Sequence, residues 1–176
     1  MFEIQRLDPE NYRQQTRRSS LILIVIFATL AMLLASLSVQ LFGEPGGNNF
    51  RWNLAGILAG LALTVILVRG YLCRQPWMAA AVYGWRLKRN LMRITNAMHL
   101  LKAGVERDNP QAMKLLRFYH LGLEEMHRLE GNTEGLSQMV REMDQHRERM
   151  ETQGLEVDLC RLDEAWLDAV KNDVRE

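Results

Sequence analysis

Residues 19–42 form a run of 24 positions without a charged side chain, and within 21–34 only Thr29 is polar. A bilayer core is crossed by about 20 apolar residues in helix, so this run spans it with room to tilt. A second run, residues 54–68, has 15 positions before Arg69. At helical rise it reaches roughly 22 Å, short of the hydrocarbon thickness. Phe50 and Trp52 extend it on one side, Tyr71 and Leu72 on the other. Aromatic rings settle at headgroup level and a terminal arginine snorkels, which predicts spans over about 19–42 and 52–72.

The connection, residues 43–49, is rich in Gly, Pro and Asn and too short for anything but an antiparallel hairpin. Basic residues flank the outer ends: Arg6, Arg13, Arg17 and Arg18 before the first span, and Arg69, Arg74, Arg86, Lys88, Arg89 and Arg93 after the second. The loop side has only Arg51, so the positive-inside rule puts both termini in the cytoplasm. Thr16-Arg17-Arg18-Ser19-Ser20-Leu21 has the look of a twin-arginine export signal. The apolar run is too long for a signal core, however, and a second span follows directly. Gly56 and Gly60, continued by Thr64, make a small-residue strip, and the first span offers Ala28, Ala31 and Ala35 as a matching small face. Such strips let helices approach closely in lipid; packing within the hairpin is favoured over dimerisation through it.

Composition averages conceal this division. Hydrophobic residues make up 48% of the 176-residue chain and the net charge is +1. That near-neutral balance excludes a strongly basic nucleic-acid binder, so no nucleic acid is expected as a partner. Two cysteines, Cys73 and Cys160, exclude a disulfide scaffold and a four-cysteine zinc site. Residues 69–102 contain seven basic and no acidic side chains, whereas residues 103–176 contain 10 basic and 17 acidic. Anionic headgroups would attract the first segment and repel the second.

After Pro76, apolar or small residues recur at Trp77, Ala80, Gly84, Leu87, Leu91, Ile94, Met98, Leu101 and Val105. The alternating steps of three and four predict one long helix to about Arg107. Asn109-Pro110 predicts the cap of a second helix ending at Gly131. A third is predicted from a Thr133 cap to Gly154, with Leu136, Met139, Val140, Met143 and Met150 on its apolar face. A fourth is predicted near Asp158, burying Leu159, Leu162, Trp166 and Val170. The expected fold is therefore all-α: a cytoplasmic N-terminal segment (1–18), a transmembrane hairpin (19–72), a basic juxtamembrane helix (73–107) and a distal antiparallel bundle (108–176).

Chemistry-bearing motifs are scarce. There is no phosphate-binding glycine loop, nucleophile elbow or HExxH pair. His120, Glu124 and His127 fall at i, i+4 and i+7, where one helix face can present three metal ligands. A packed or solvated histidine is the commoner outcome, and carboxylate-bridged metal bundles repeat Glu-x-x-His on a second helix, which this chain lacks. No catalytic residue, metal or cofactor is expected.

Residues 98–101 and 108–112, then Leu116-Arg117-Phe118-Tyr119-His120-x-Gly122-Leu123 and Asn132-Thr133, resemble an uncharacterised bacterial family. The resemblance implies a two-span inner-membrane protein with a helical cytoplasmic tail and supplies no catalytic residue. Eighteen arginines against four lysines agree with a GC-rich bacterial genome. The expected function is non-enzymatic: the lipid bilayer anchors the chain, and the cytoplasmic helices bind an unknown protein partner or a second copy. Leu87, Leu91, Ile94, Met98, Leu101 and Val105 would be the interaction seam. One alternative is a metal-dependent or ligand-processing enzyme using His120, Glu124 and His127. Another is an anionic-lipid-binding organiser using Arg69, Arg74, Arg86, Lys88, Arg89 and Arg93.

Overall fold

The computed structural model describes residues 2–132 and 136–172, and the side chains of all of these but 136–138. Thr133 and the side chain of Leu136, both assigned above to the third helix, lie outside the described residues. The chain is all-α with an N-terminal helical hairpin. It divides into two compact units: Gln14–Val82, and Met1–Arg13 together with Tyr83–Glu176.

Helix α1 (Pro9–Phe42) begins ten residues before the charge-free run. Its start is set by Asp8, whose side chain accepts from the Asn11 amide at 2.8 Å, with proline in the first turn. Gly46 takes a positive φ of 76° in the connection to α2 (Phe50–Gly70). There the Asn49 side chain accepts from the Glu44 amide and donates to its carbonyl, at 3.0 and 3.1 Å. Phe42 and Trp52 stack at 5.0 Å across the same end of the hairpin. α1 and residues 50–74 are each long and apolar enough to cross a membrane. Most of their large apolar side chains are exposed, as a lipid-facing surface would be.

The helices meet along small residues. Gly56, Gly60 and Thr64 are the buried positions of α2, and Ala31 is buried on α1. A Cβ on Gly56 would overlap the Ala35 backbone, and one on Gly60 would lie 2.8 Å from the Ala31 Cα. The Thr64 hydroxyl donates to the Gly60 carbonyl at 2.7 Å, so no polar group is left open in that contact. Two 3₁₀ turns, Leu72–Arg74 and Pro76–Met78, follow α2.

The other unit is built from α3 (Ala79–Thr95, from Tyr83 on), α4 (Met98–Glu106), α5 (Pro110–Glu130), α6 (Leu136–Thr152) and α7 (Glu164–Asn172). α5 is its centre: Ala112, Met113, Leu115 and Phe118 have no exposed surface. They pack with Ile94, Leu101, Met150, Leu159, Leu162 and Leu167 into one core. Asn109 caps α5 as expected, accepting from the Gln111 and Ala112 amides, and Gly131 closes it in the left-handed conformation.

Three features differ from the sequence reading. The helix expected to run unbroken to Arg107 ends at Thr95 and restarts at Met98. Thr95 returns its hydroxyl to the Leu91 carbonyl, and the Ala97 amide bonds Ile94 three residues back, which tightens the last turn. This bend keeps both Ala97 and Leu101 in the core. The helix expected near Asp158 begins only at Glu164. The stretch before it includes β2 (Arg161–Leu162), antiparallel to β1 (Phe2–Glu3), with the Ile4 amide donating to the Cys160 carbonyl at 2.8 Å. Residues 2–13 are accordingly part of the helical unit.

Candidate functional site

Between α4, α5 and α6 the helical unit forms an open-sided cavity of about 350 Å³. α4 contributes Met98 and Lys102, and α6 contributes Met139, Glu142 and His146. The α5 wall is Leu116, Tyr119, His120 and Leu123. This is a volume suited to a small ligand, with mainly apolar walls and a few convergent polar groups.

The two histidines set its chemistry. Their rings meet edge to face, with centroids 5.4 Å apart. His120 is only 7% exposed, and its buried Nδ1 has no hydrogen-bond partner. Such an orphan costs about 1–3 kcal/mol and calls for a reason. His146 is held by one ring nitrogen, with Nε2 2.9 Å from the Met113 carbonyl. A carbonyl only accepts, so Nε2 bears the proton and the Nδ1 lone pair is left available. Burial, then the neighbouring His146 and Arg117, pull the His120 pKa down to about 3. Burial also lowers that of His146, assisted by Arg117 and Arg149 and opposed by the Met113 bond. Both imidazoles are therefore neutral at physiological pH.

The metal triad considered from sequence is not assembled. His120 faces the cavity, Glu124 lines a different one with Arg6 and Cys160, and His127 holds its Nδ1 3.2 Å from the Asn132 carbonyl at the end of α5. Among the described residues no three His, Cys, Asp or Glu side chains are placed to hold a metal ion. His146 was missed, although a signal existed. It continues the apolar positions Met139, Met143 and Met150 on α6 at helical spacing, as a core residue does.

The other sequence candidates are distributed as follows. Leu87 and Leu91 are buried in a small cluster with Tyr83 and Leu129, whereas Ile94, Leu101 and Val105 belong to the main core. Met98 is half-buried. The seam is thus occupied by the unit's own helices. Gly56 and Gly60 are taken up within the hairpin. Of the basic set, Arg93 makes a two-pronged pair with Glu164, and Lys88 pairs with Glu130 at 2.5 Å. Arg69, Arg74 and Arg86 are exposed and have no carboxylate partner among the described residues. Arg89 lies over the Trp85 ring, 5.2 Å from its centroid.

Fold and site together define a class: an all-helical protein that joins a hairpin of two membrane-length apolar helices to a helical unit with a histidine-lined cavity. The chain belongs to the family described as protein of unknown function (DUF3087), whose family model matches residues 2–167. That agrees with the uncharacterised family inferred from the motif around His120. No curated protein matches the chain, and no solved structure does.

Proposed function

We propose that this chain is a two-span protein of the bacterial inner membrane. Both flanking segments lie in the cytoplasm, and the helical unit there is a non-enzymatic docking module for a partner protein or a second copy. Two observations support the topology. The basic residues lie outside the hairpin loop. Residues before the first apolar helix also fold with residues after the second, which supports a placement of both on one side of a membrane.

The observation that carries docking is the outer side of α3. Trp85 and Met92 are 59% and 61% exposed, a heptad apart, with Arg89 stacked on the Trp85 ring between them. Trp, Arg and Met are the residue types enriched at the centre of protein interfaces. This face takes the role first given to the seam, whose residues are buried except for the half-buried Met98. A second reading has its own observation: Arg86 and Arg89, near a long exposed aromatic, are suited to anionic headgroups.

Photo-crosslinking side chains placed at positions 85 and 92 in living cells separate the readings. A discrete protein adduct, either a homodimer or one partner, is expected at both and not at the buried position 87. Adducts to lipid alone would replace docking with the headgroup reading, and no adduct at either position would remove both. Tags on the two termini should both be protected from protease in spheroplasts.

A further inference from the structure

We propose that the side of α1 turned away from α2 is a self-association face within the bilayer, where two copies of this chain pair in parallel through Thr29, Ser36 and Gln40. The face is separate from the docking residues of α3, and it rests on the membrane placement of the hairpin proposed above.

The hairpin contact uses one side of α1: Ala31 is buried there, and Gly60 of α2 lies against its backbone. Val25, Thr29, Met32, Ser36 and Gln40 fall about 100–180° around the helix from Ala31, and all five are exposed. The first four follow one another at steps of four, three and four, the spacing of a seam between two helices. Polar side chains concentrate on this face. Residues 21–42 have four of them, Thr29, Ser36, Ser38 and Gln40, of which only the half-buried Ser38 falls elsewhere. In the second apolar run, residues 54–68, Thr64 is the one polar side chain, and it is buried.

Lipid tails offer no hydrogen bond, so a polar side chain on the outside of a span is satisfied by its own backbone or by another helix. Thr29 takes the first route, donating its hydroxyl to the Val25 carbonyl at 2.9 Å. The side chains of Ser36 and Gln40 have no hydrogen-bond partner among the described residues. Chemistry selects a second copy as that partner. A hydroxyl and a carboxamide each donate and accept, so each pairs with its own kind. A twofold axis along the bilayer normal sets Ser36 opposite Ser36 and Gln40 opposite Gln40 at equal depth. A different span would need polar groups at the same depths, whereas a second copy has them by identity. No charged residue lies in 19–42 to repel it.

The test uses the full chain in native membranes with Cys73→Ser and Cys160→Ser, which removes both free thiols. Single cysteines are then placed along α1 and treated with a membrane-permeant oxidant. Thr29→Cys, Ser36→Cys and Gln40→Cys should give a disulfide-linked product of twice the chain mass. Leu30→Cys, Leu37→Cys and Leu41→Cys, each turned about 100° off the face, should give little. Energy transfer between two labelled populations of the parent in lipid vesicles should report the same pairing. Ser36→Ala combined with Gln40→Leu should weaken it about 5–20-fold without moving the unfolding midpoint, because neither side chain takes part in the hairpin contact. Extraction with alkaline carbonate separates the two claims. A chain that stays in the membrane yet yields no disulfide at 29, 36 and 40, or yields it equally at 30, 37 and 41, overturns the face and leaves the topology standing. An adduct of any other mass, or a double variant that pairs like the parent, also overturns it. A chain released by carbonate overturns the face and the membrane placement together.

Discussion

His120 links burial to acid sensitivity. In the folded protein its pKa is about 3 against 6.5 for a free imidazole, so between those values the unfolded chain binds a proton that the native state refuses. Its neutral form contributes fully above pH 6.5, and the contribution is lost as pH falls toward 3. From pH 7 to 4.5 this side chain alone costs on the order of 2–3 kcal/mol. Lys102 and Glu142 are the charged neighbours in the pocket, Arg117 acts on His120 from outside its lining, and His146 is shifted in the same direction. His120→Leu removes both the titration and the orphaned Nδ1. Thermal unfolding at the two pH values should show a smaller acid loss in the variant, and equal losses would discard this account. Glu125 is a buried acidic side chain whose partners come from within the fold. It receives Arg128 at 2.7–3.0 Å and the Leu7 amide at 3.3 Å. Glu125→Ala leaves both donors without their acceptor and should cost about 2–4 kcal/mol in denaturant unfolding. Glu125→Gln keeps an acceptor for Leu7 and should cost about half as much. A cost below about 0.5 kcal/mol for the alanine, the level of an ordinary surface change, would mean the clasp is not structural.

At the scale of elements, the hairpin offers an internally controlled test of the small-residue strip. Gly56 and Gly60 lie against the α1 backbone at Ala35 and Ala31, while a Cβ on Gly70 meets nothing within 4 Å. Gly56→Ala and Gly60→Ala should each destabilise the detergent-solubilised protein by about 1–3 kcal/mol through overpacking. Gly70→Ala should be neutral or slightly stabilising, since helix propensity then acts alone. Three equal midpoints would show that the strip does not set the helix approach. What could be read from the sequence follows the strength of local periodicity. Long charge-free runs and the Asn109-Pro110 cap are local signals, and they placed the hairpin and α5 closely. Asp8-Pro9 is the same kind of local signal at the start of α1, ten residues ahead of the charge-free run. The break at Asn96-Ala97 was not legible, because the apolar spacing continues through it and tertiary packing bends the chain without changing the pattern. Two-residue strands have no periodicity to detect, so β1 and β2 could appear only once the fold brought residues 2–3 beside 161–162. The cavity divides in the same way. His120 stood out on α5, whereas His146 is brought to it by the packing of α6.

For the molecule as a whole, the decisive fact is that the helical unit is discontinuous in sequence. Residues 1–13 are separated from residues 83–176 by the entire hairpin, yet they complete one compact body. Phe2 stacks on Tyr83 at 5.9 Å, and the Tyr83 hydroxyl exchanges two hydrogen bonds of 3.0 Å with the Gln5 backbone. Arg128 donates to the Leu7 carbonyl at 2.7 Å, and Ile4 contributes to the core beside α5. Removing residues 2–7 would therefore expose Leu87, Leu91 and Leu129 on one side and leave Glu125 short of a donor. A fragment beginning at residue 79 should express as an unstable species with early denaturant unfolding and raised binding of hydrophobic dyes. Adding a peptide of residues 2–13 in trans, or fusing it through a flexible linker, should raise the unfolding midpoint in a concentration-dependent or linker-dependent way. A peptide with Phe2, Ile4 and Leu7 changed to Ser should not. If the fragment from residue 79 is as stable as the fused form, the N-terminal segment is a passenger. The proposed placement of both flanks on one side of a membrane would then rest on the positions of the arginines alone.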